Sequence, residues 1–167
     1  MGKAELLILL GAIVIWGIYT LSINEARFNN EVSIMQSQFE ISAVGIANSY
    51  LEEAKSKAFD EILLSSTSST FSDSLPGEFT ALDGLGIDAD EIYPNFDDID
   101  DFHNYTVSDT TSEGFVYTVS ITVGYVATSD FDNFSANRTF YKRMNVIIDS
   151  PDLSNNLNLS RIYPYIG

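Results

Sequence analysis

The chain has 167 residues, 45% of them hydrophobic and 13% aromatic, which suits one small folded domain and excludes a disordered tail. It contains no cysteine, which excludes disulfides, thiolate metal sites and thiol nucleophiles. The net charge is −16, and 16 acidic residues but no Lys or Arg lie between Lys57 and Arg138. Nucleic acid and anionic lipid, which need cationic surfaces, are therefore not expected as partners of this acidic part.

The first predicted element is an apolar helix over residues 4–23, in which Glu5 is the only charged side chain. Twenty helical residues span about 30 Å, the thickness of a bilayer core. A carboxylate in that setting costs about 2–3.5 kcal/mol, so Glu5 is expected to have a partner. A cleaved secretory signal does not fit, because the segment has no small-residue cleavage site. A plain single-span anchor fits the apolar length but leaves Glu5 unexplained. The third interpretation is a helix that packs against copies of itself.

This segment resembles the N-terminus of a mature type IV pilin or pilin-like protein (pseudopilin) without its leader peptide. The matching features are a hydrophobic first residue, Met1, a glutamate at the fifth position, Glu5, and the apolar run 6–23 that follows. The resemblance implies that a prepilin peptidase cuts before Met1 and methylates the new amino group. It also implies that Glu5 pairs with the amino group of Met1 in a neighbouring copy during assembly.

Two features near the N-terminus differ from the family pattern. Lys3 offers Glu5 an alternative partner within one chain, and Ser22 stands where the family often has proline. If the helix kinks or melts, we expect this between Gly11 and Gly17, because glycine weakens a helix.

Helical periodicity continues beyond residue 23 and predicts one helix to about residue 63, whose part 25–63 is amphipathic. The apolar stripe of this part consists of Phe28, Val32, Met35, Phe39, Ala43, Ile46, Tyr50, Ala54 and Ala58. We expect the second half of the stripe to pack on a sheet, and residues 24–35 to contact neighbouring helices.

An acidic connecting loop region is predicted over residues 64–114, opened by a Ser/Thr run at 65–74. Residues 88–101 carry seven acids in fourteen positions. Calcium binds carboxylate oxygens, so four aspartates of this segment are candidate Ca²⁺ ligands: Asp97, Asp98, Asp100 and Asp101. The spacing does not fit an EF-hand. A solvated acidic loop without metal remains the alternative, and no other cofactor is expected.

From residue 115 the hydrophobic period changes to two, which predicts a sheet and C-terminal tail over 115–167. The first strand, 115–127, has an apolar face formed by Phe115, Tyr117, Val119, Ile121, Val123, Tyr125 and Ala127. After a loop at 129–137, a second strand at 138–150 completes an antiparallel hairpin. Residues 157–166 add either a short third strand or an extended tail.

Four Asn-x-Ser/Thr sequons are candidate glycosylation sites, at Asn104, Asn133, Asn137 and Asn158. The only histidine, His103, lies in the acidic region without an identifiable nucleophile partner, and no nucleotide-binding or zinc motif is present. The chain is therefore not expected to be an enzyme.

The predicted fold is α+β: a long N-terminal helix, hydrophobic in its first half, packs by its second half on a small antiparallel sheet. The pilin resemblance implies a lollipop shape and a structural subunit that forms a type IV pilus-like extracellular filament. Its implied partners are copies of itself in a helical homopolymer, the prepilin peptidase and the inner-membrane assembly machinery, with the inner membrane holding the subunit before assembly. The alternatives are a minor pseudopilin of a type II secretion system and a single-span membrane-anchored surface binding domain.

Overall fold

The computed structural model describes residues 2–65, 76–89, 91–111 and 114–166. Its helices are α1 (Lys3–Lys55) and α2 (Ile62–Ser65), and short 3-10 turns occupy Pro76–Glu78 and Asp100–Phe102. The strands are β1 (Thr106–Thr110), β2 (Val116–Ala127), β3 (Asp130–Phe134), β4 (Tyr141–Asp149) and β5 (Leu157–Pro164). The predicted α+β fold is confirmed. The chain forms two compact units, Met1–Phe39 and Glu40–Gly167.

The first unit consists of the N-terminal part of α1. The helix runs without a break through Gly11 and Gly17, so the kink considered for that region is not observed. Its apolar side chains are exposed, and an 18-residue window reaches a mean hydropathy of 2.4. By length and composition this helix can cross a membrane.

In the second unit, the last turns of α1 pack on the sheet, as predicted for the second half of the helix. Ala43, Ala47, Tyr50, Leu51 and Ala54 are buried at helical spacing. Three of the five are alanines, which allow the helix backbone to lie close to the strands. The facing core comes from alternate positions of β2 and β4: Tyr117, Val119, Ile121, Val123, Tyr125, Met144, Val146 and Ile148.

Helix α1 ends at Lys55, so the prediction of a helix to about residue 63 is wrong. The amides of Ser56 and Lys57 bond to carbonyls only three residues back, which closes the helix. Ala58 then forms a parallel bridge with the acidic segment: its N–H donates to Asp97 O and its carbonyl accepts from the amide of Ile99, both at 3.0 Å. A tertiary backbone pairing therefore replaces the last helical turns.

The sheet has the strand order β1-β2-β4-β5, with β3 paired to the end of β2. The predicted hairpin is confirmed as the antiparallel pair β2–β4, in which Ile121 faces Val146. Residues 157–164 form a third strand, β5, beside β4. Two strands were not predicted: β1 lies inside the region expected to be a loop to 114, and β3 lies inside the loop expected at 129–137.

Candidate assembly helix and acidic clusters

Glu5 lies in the first turn of α1. Its Oε2 accepts a hydrogen bond from the Gly2 N–H at 2.9 Å, and the positive end of the helix dipole favours a carboxylate there. Among the described residues no ion pair joins Glu5 to Lys3. Met1 lies outside the described residues, so its pairing with Glu5 of another copy stays a prediction.

Between residues 6 and 23 the surface of α1 carries no charged side chain and is apolar on all sides. The large hydrophobic side chains from Leu6 to Leu21 are 52–73% exposed, among them Ile8 and Trp16, and Ile23 is half-buried. A continuous apolar surface of this extent is not stable in water and needs a bilayer or other apolar helices around it. This apolar segment of α1 is therefore the candidate surface for contact with a bilayer or with other helices.

The structure divides the four predicted metal ligands into two groups. Asp97 and Asp101 lie together with Glu91, and one carboxylate oxygen from each falls within 4.8 Å of the others. Asp98 and Asp100 are buried and have other partners. Glu91 belongs to the acidic segment but was not among the predicted ligands.

The cluster of Glu91, Asp97 and Asp101 is electrostatically strained. Hydrogen bonding to the carboxyl of Asp101, partial burial and the charges of Asp101 and Asp97 raise the pKa of Glu91 to about 8. Among the described residues no donor lies within hydrogen-bond distance of the buried Glu91 Oε2, whereas Asp101 Oδ2 accepts from the amides of Asp97 and Asp98. Such facing carboxylates need a shared proton or a cation between them.

Asp100 belongs to a second, buried cluster centred on Lys142 of β4. The ammonium donates to Asp100 Oδ1 at 2.5 Å, to Asp60 Oδ2 at 2.8 Å and to the Phe59 carbonyl at 2.6 Å, so all three of its N–H groups have acceptors. It also lies over the ring of Phe59 at 4.8 Å and that of Tyr125 at 5.4 Å. Its side chain has no exposed area.

The carboxyl groups of this buried cluster are themselves well supported. Asp60 accepts from the amide and hydroxyl of Thr80 and from the hydroxyl of Tyr125. Burial, followed by the charge of Asp60, raises the pKa of Tyr125. Burial and the adjacent Asp100 carboxylate raise the pKa of Asp98 to about 9, so Asp98 is neutral at pH 7. The cluster ties β4 to the chain that leaves α1 and to the acidic 3-10 turn.

Sequence reasoning missed Lys142, although a signal was present. It occupies the inward phase of an alternating strand, between Phe140 and Met144. A lysine at such a position must be paired with buried acids, because an unpaired buried ammonium is very costly. The pattern could have predicted a buried cation, but not which aspartates surround it.

The remaining predicted sites lie on the surface or have structural roles. All four sequon asparagines are exposed: Asn104, Asn133, Asn137 and Asn158. The side-chain amide of Asn133 donates to Asp130 at 2.9 Å. His103 Nδ1 accepts the Val123 N–H at 3.2 Å, which gives the histidine a role in attaching the acidic region to β2.

No protein-family model, curated protein or solved structure matches the chain. The resemblance to pilins therefore rests on the residues of the N-terminal segment, Met1, Glu5 and the apolar run 6–23, and stays a prediction.

Proposed function

We propose that the chain is a non-enzymatic structural subunit that polymerises through α1 into a type IV pilus-like extracellular filament. The observation that carries this proposal is the single carboxylate, Glu5, in the first turn of a long helix whose apolar surface is exposed. A bilayer would cover the apolar surface but leave the carboxylate costly. Packing against other copies covers the same surface and brings a positive amino group to Glu5.

The pairing of Glu5 with the Met1 amino group would also set the axial position of one helix against the next. Both charges are expensive alone in a dry core, and each relieves the other. Any other stagger leaves a buried charge without a partner. In this proposal the inner membrane holds the subunit until assembly, the prepilin peptidase produces Met1, and the membrane assembly machinery adds the subunit to the filament.

Substitution of Glu5 tests the mechanism. In a strain that depends on this chain, Glu5→Ala and Glu5→Gln should abolish surface filaments, as seen by electron microscopy of sheared material, while the subunit still accumulates in the membrane. Glu40→Ala provides the control, because Glu40 is an exposed acid on the same helix outside both the apolar run and residues 24–35. Filaments that persist unchanged in both Glu5 variants would refute the pairing.

Two alternatives would give different results. A minor pseudopilin of a type II secretion system would be scarce in sheared material, and its loss would block secretion. A single-span anchored binding domain would stay in the membrane fraction, and Glu5→Ala would have no effect on its surface exposure. Intact mass of the mature chain adds a direct check, since the proposal expects Met1 as a methylated N-terminus.

We further propose that Glu91, Asp97 and Asp101 bind a divalent cation, with Ca²⁺ as the best match. Three carboxylates whose oxygens converge offer the hard oxygen ligands that calcium prefers, and backbone carbonyls or water would complete its coordination. The raised pKa of Glu91 supports the proposal, because a cation between these carboxylates would replace the proton that they otherwise share. The cation would act as a structural clamp on the acidic segment.

A further inference from the structure

A groove lies between strand β5 and the chain that follows α1. It encloses about 570 Å³ and has apolar walls from Phe59, Leu63, Ile99, Ile162 and Ile166. Three of the eight basic residues of the chain also line it: Lys55, Lys57 and Arg161. The cationic rim of this groove fits an acidic protein segment.

The positive charge of this groove is only partly compensated. Lys57 Nζ donates to the carbonyl of Phe96 at 2.5 Å, which satisfies a hydrogen bond but leaves its charge in place. Arg161 pairs with Glu52 at 2.6 Å, and Lys55 lies 3.8 Å from the same carboxylate. The described lining contains three basic residues and no acidic one, and Glu52 is shared by two of the three cations.

The groove borders one outer edge of the sheet, because β5 is the last strand on that side. The opposite edge is β1. Among the described residues neither edge strand is paired on its outer side. Open strand edges offer free backbone donors and acceptors and readily pair with another chain.

The β1 edge is acidic. Every residue of β1 except Val107 is exposed, including Asp109. The ring of Tyr93 packs on that of Tyr105, the residue immediately before β1, with 5.2 Å between the ring centroids. Tyr93 donates its hydroxyl to Glu53 at 3.0 Å and holds that carboxylate in place. Opposite edges of one sheet thus carry opposite charge.

We propose that the β5 groove of one copy binds the β1 edge of a second copy. Lys55, Lys57 and Arg161 would face Asp109 and Glu53 of the neighbour, and the two open edges would pair along their backbones. This inference builds on the proposed filament by naming a contact between the sheet-bearing units. The two surfaces differ, so the contact is head-to-tail and repeats without closing, as a filament requires.

The charges favour the groove-to-β1 contact over the two symmetric contacts between copies. If the groove met the same groove of a second copy, cations would face cations, which opposes binding. If the two β1 edges met, Asp109 would approach Asp109. Of these three contacts between sheet edges, the mixed one brings the cationic groove to acidic residues of the same protein.

Cysteine cross-linking of the full chain in cells tests the contact, since the protein has no cysteine of its own. Ile162, 36% exposed in β5, and Ser108, exposed in β1, are each replaced by cysteine, alone and together. With a short bismaleimide the double variant Ser108→Cys/Ile162→Cys should give a ladder of dimers, trimers and larger species. Neither single variant should. Dimers from Ile162→Cys alone, a cross-link to a different protein, or the absence of a ladder would overturn the proposal.

Charge reversal provides the second arm. In the double-cysteine chain Lys55→Glu should lower the ladder about tenfold, and Asp109→Lys in the same chain should restore it. Lys55 has 67% of its side chain exposed, so its reversal should leave the fold intact, which a melting temperature within error of the parent would verify. A cross-linked ladder whose intensity is unchanged by both substitutions would count against charge pairing at these edges.

The same variants separate this inference from the proposed function. Filaments seen by electron microscopy without a ladder would overturn the edge contact and keep the filament proposal. A ladder in cells that never form filaments would support the edge contact and overturn the filament proposal.

Discussion

Replacement of Lys142 by methionine removes the cation at the centre of the buried cluster while preserving most of the side-chain volume. The change deletes the ion pairs with Asp60 and Asp100 and the hydrogen bond to Phe59 O. Two carboxylates then remain in the interior, with exposed fractions of 0% for Asp60 and 3% for Asp100. We expect this variant to lose stability rather than gain it from the apolar side chain.

The magnitude follows from the burial. Removing one partner of a buried ion pair typically costs about 3–5 kcal/mol, because the other charge is left uncompensated. A domain of this size is stable by about 5–15 kcal/mol, so the loss is a large share of the total. It should lower the melting temperature by about 10 °C or more. The matched control is Lys55→Met, which breaks an exposed pair with Glu52 worth at most about 1 kcal/mol.

Denaturant unfolding of the full chain in detergent micelles measures both variants. The only tryptophan, Trp16, lies in the apolar helix, so the tyrosine signal in the near-ultraviolet circular dichroism should be followed instead. The double variant Asp60→Asn/Lys142→Met should recover part of the lost stability, since it removes one of the two buried carboxylates left without a cation. A loss for Lys142→Met no larger than that for Lys55→Met would refute the conclusion that the cluster stabilises the fold.

Three further predictions concern the acidic segment and the glycines. Glu91 and Asp98 bind protons more tightly in the folded state than in the unfolded state, with pKa values of about 8 and 9. Without cations, the stability of the fold should therefore fall as the pH rises from about 4 to about 9. A melting temperature that rises over this range would contradict this prediction. Calcium at 100 times its Kd should stabilise the chain by about 2.7 kcal/mol and Asp97→Asn should reduce this gain, whereas identical melting curves with calcium and with chelator would refute the cation site. Gly124→Ala should cost about 1 kcal/mol of stability, because its Cβ would lie 2.7 Å from a phenylalanine ring of β3. Gly45→Ala should stabilise the fold by about 0.5–1 kcal/mol, because no atom lies within 4 Å of its Cβ on an exposed part of the helix. Equal melting temperatures of the two variants would refute this contrast.

The elements with strong periodicity were predictable from the sequence. The apolar run after Glu5 required a helix, and the alternation from Tyr117 to Tyr125 required a half-buried strand, because one face had to meet a core. The β2–β4 hairpin followed from two such strands joined by a polar loop. These features depend on local pattern, and the structure confirms them.

The missed strands show the limit of periodicity. The residues of β1 and β3 are almost all exposed, so neither strand has a buried apolar face that would produce alternation in the sequence. Each strand is held in the sheet by backbone pairing with β2. The end of α1 was placed too late for a related reason. Ala58 continues the helical stripe, but its backbone bonds to Asp97 and Ile99, which are about forty residues away.

The sequence by itself determined that a long apolar helix with one acidic residue near its start precedes a small, strongly acidic sheet domain. It also located the acids of residues 88–101. Only the tertiary structure decided how those acids are used: Asp97 and Asp101 converge with Glu91, whereas Asp100 pairs with Lys142 in the interior. The physical reason is that charge pairing depends on distance in space. Neighbouring aspartates of one loop have different partners, and the cation that pairs with Asp100 comes from a strand 42 residues later in the chain.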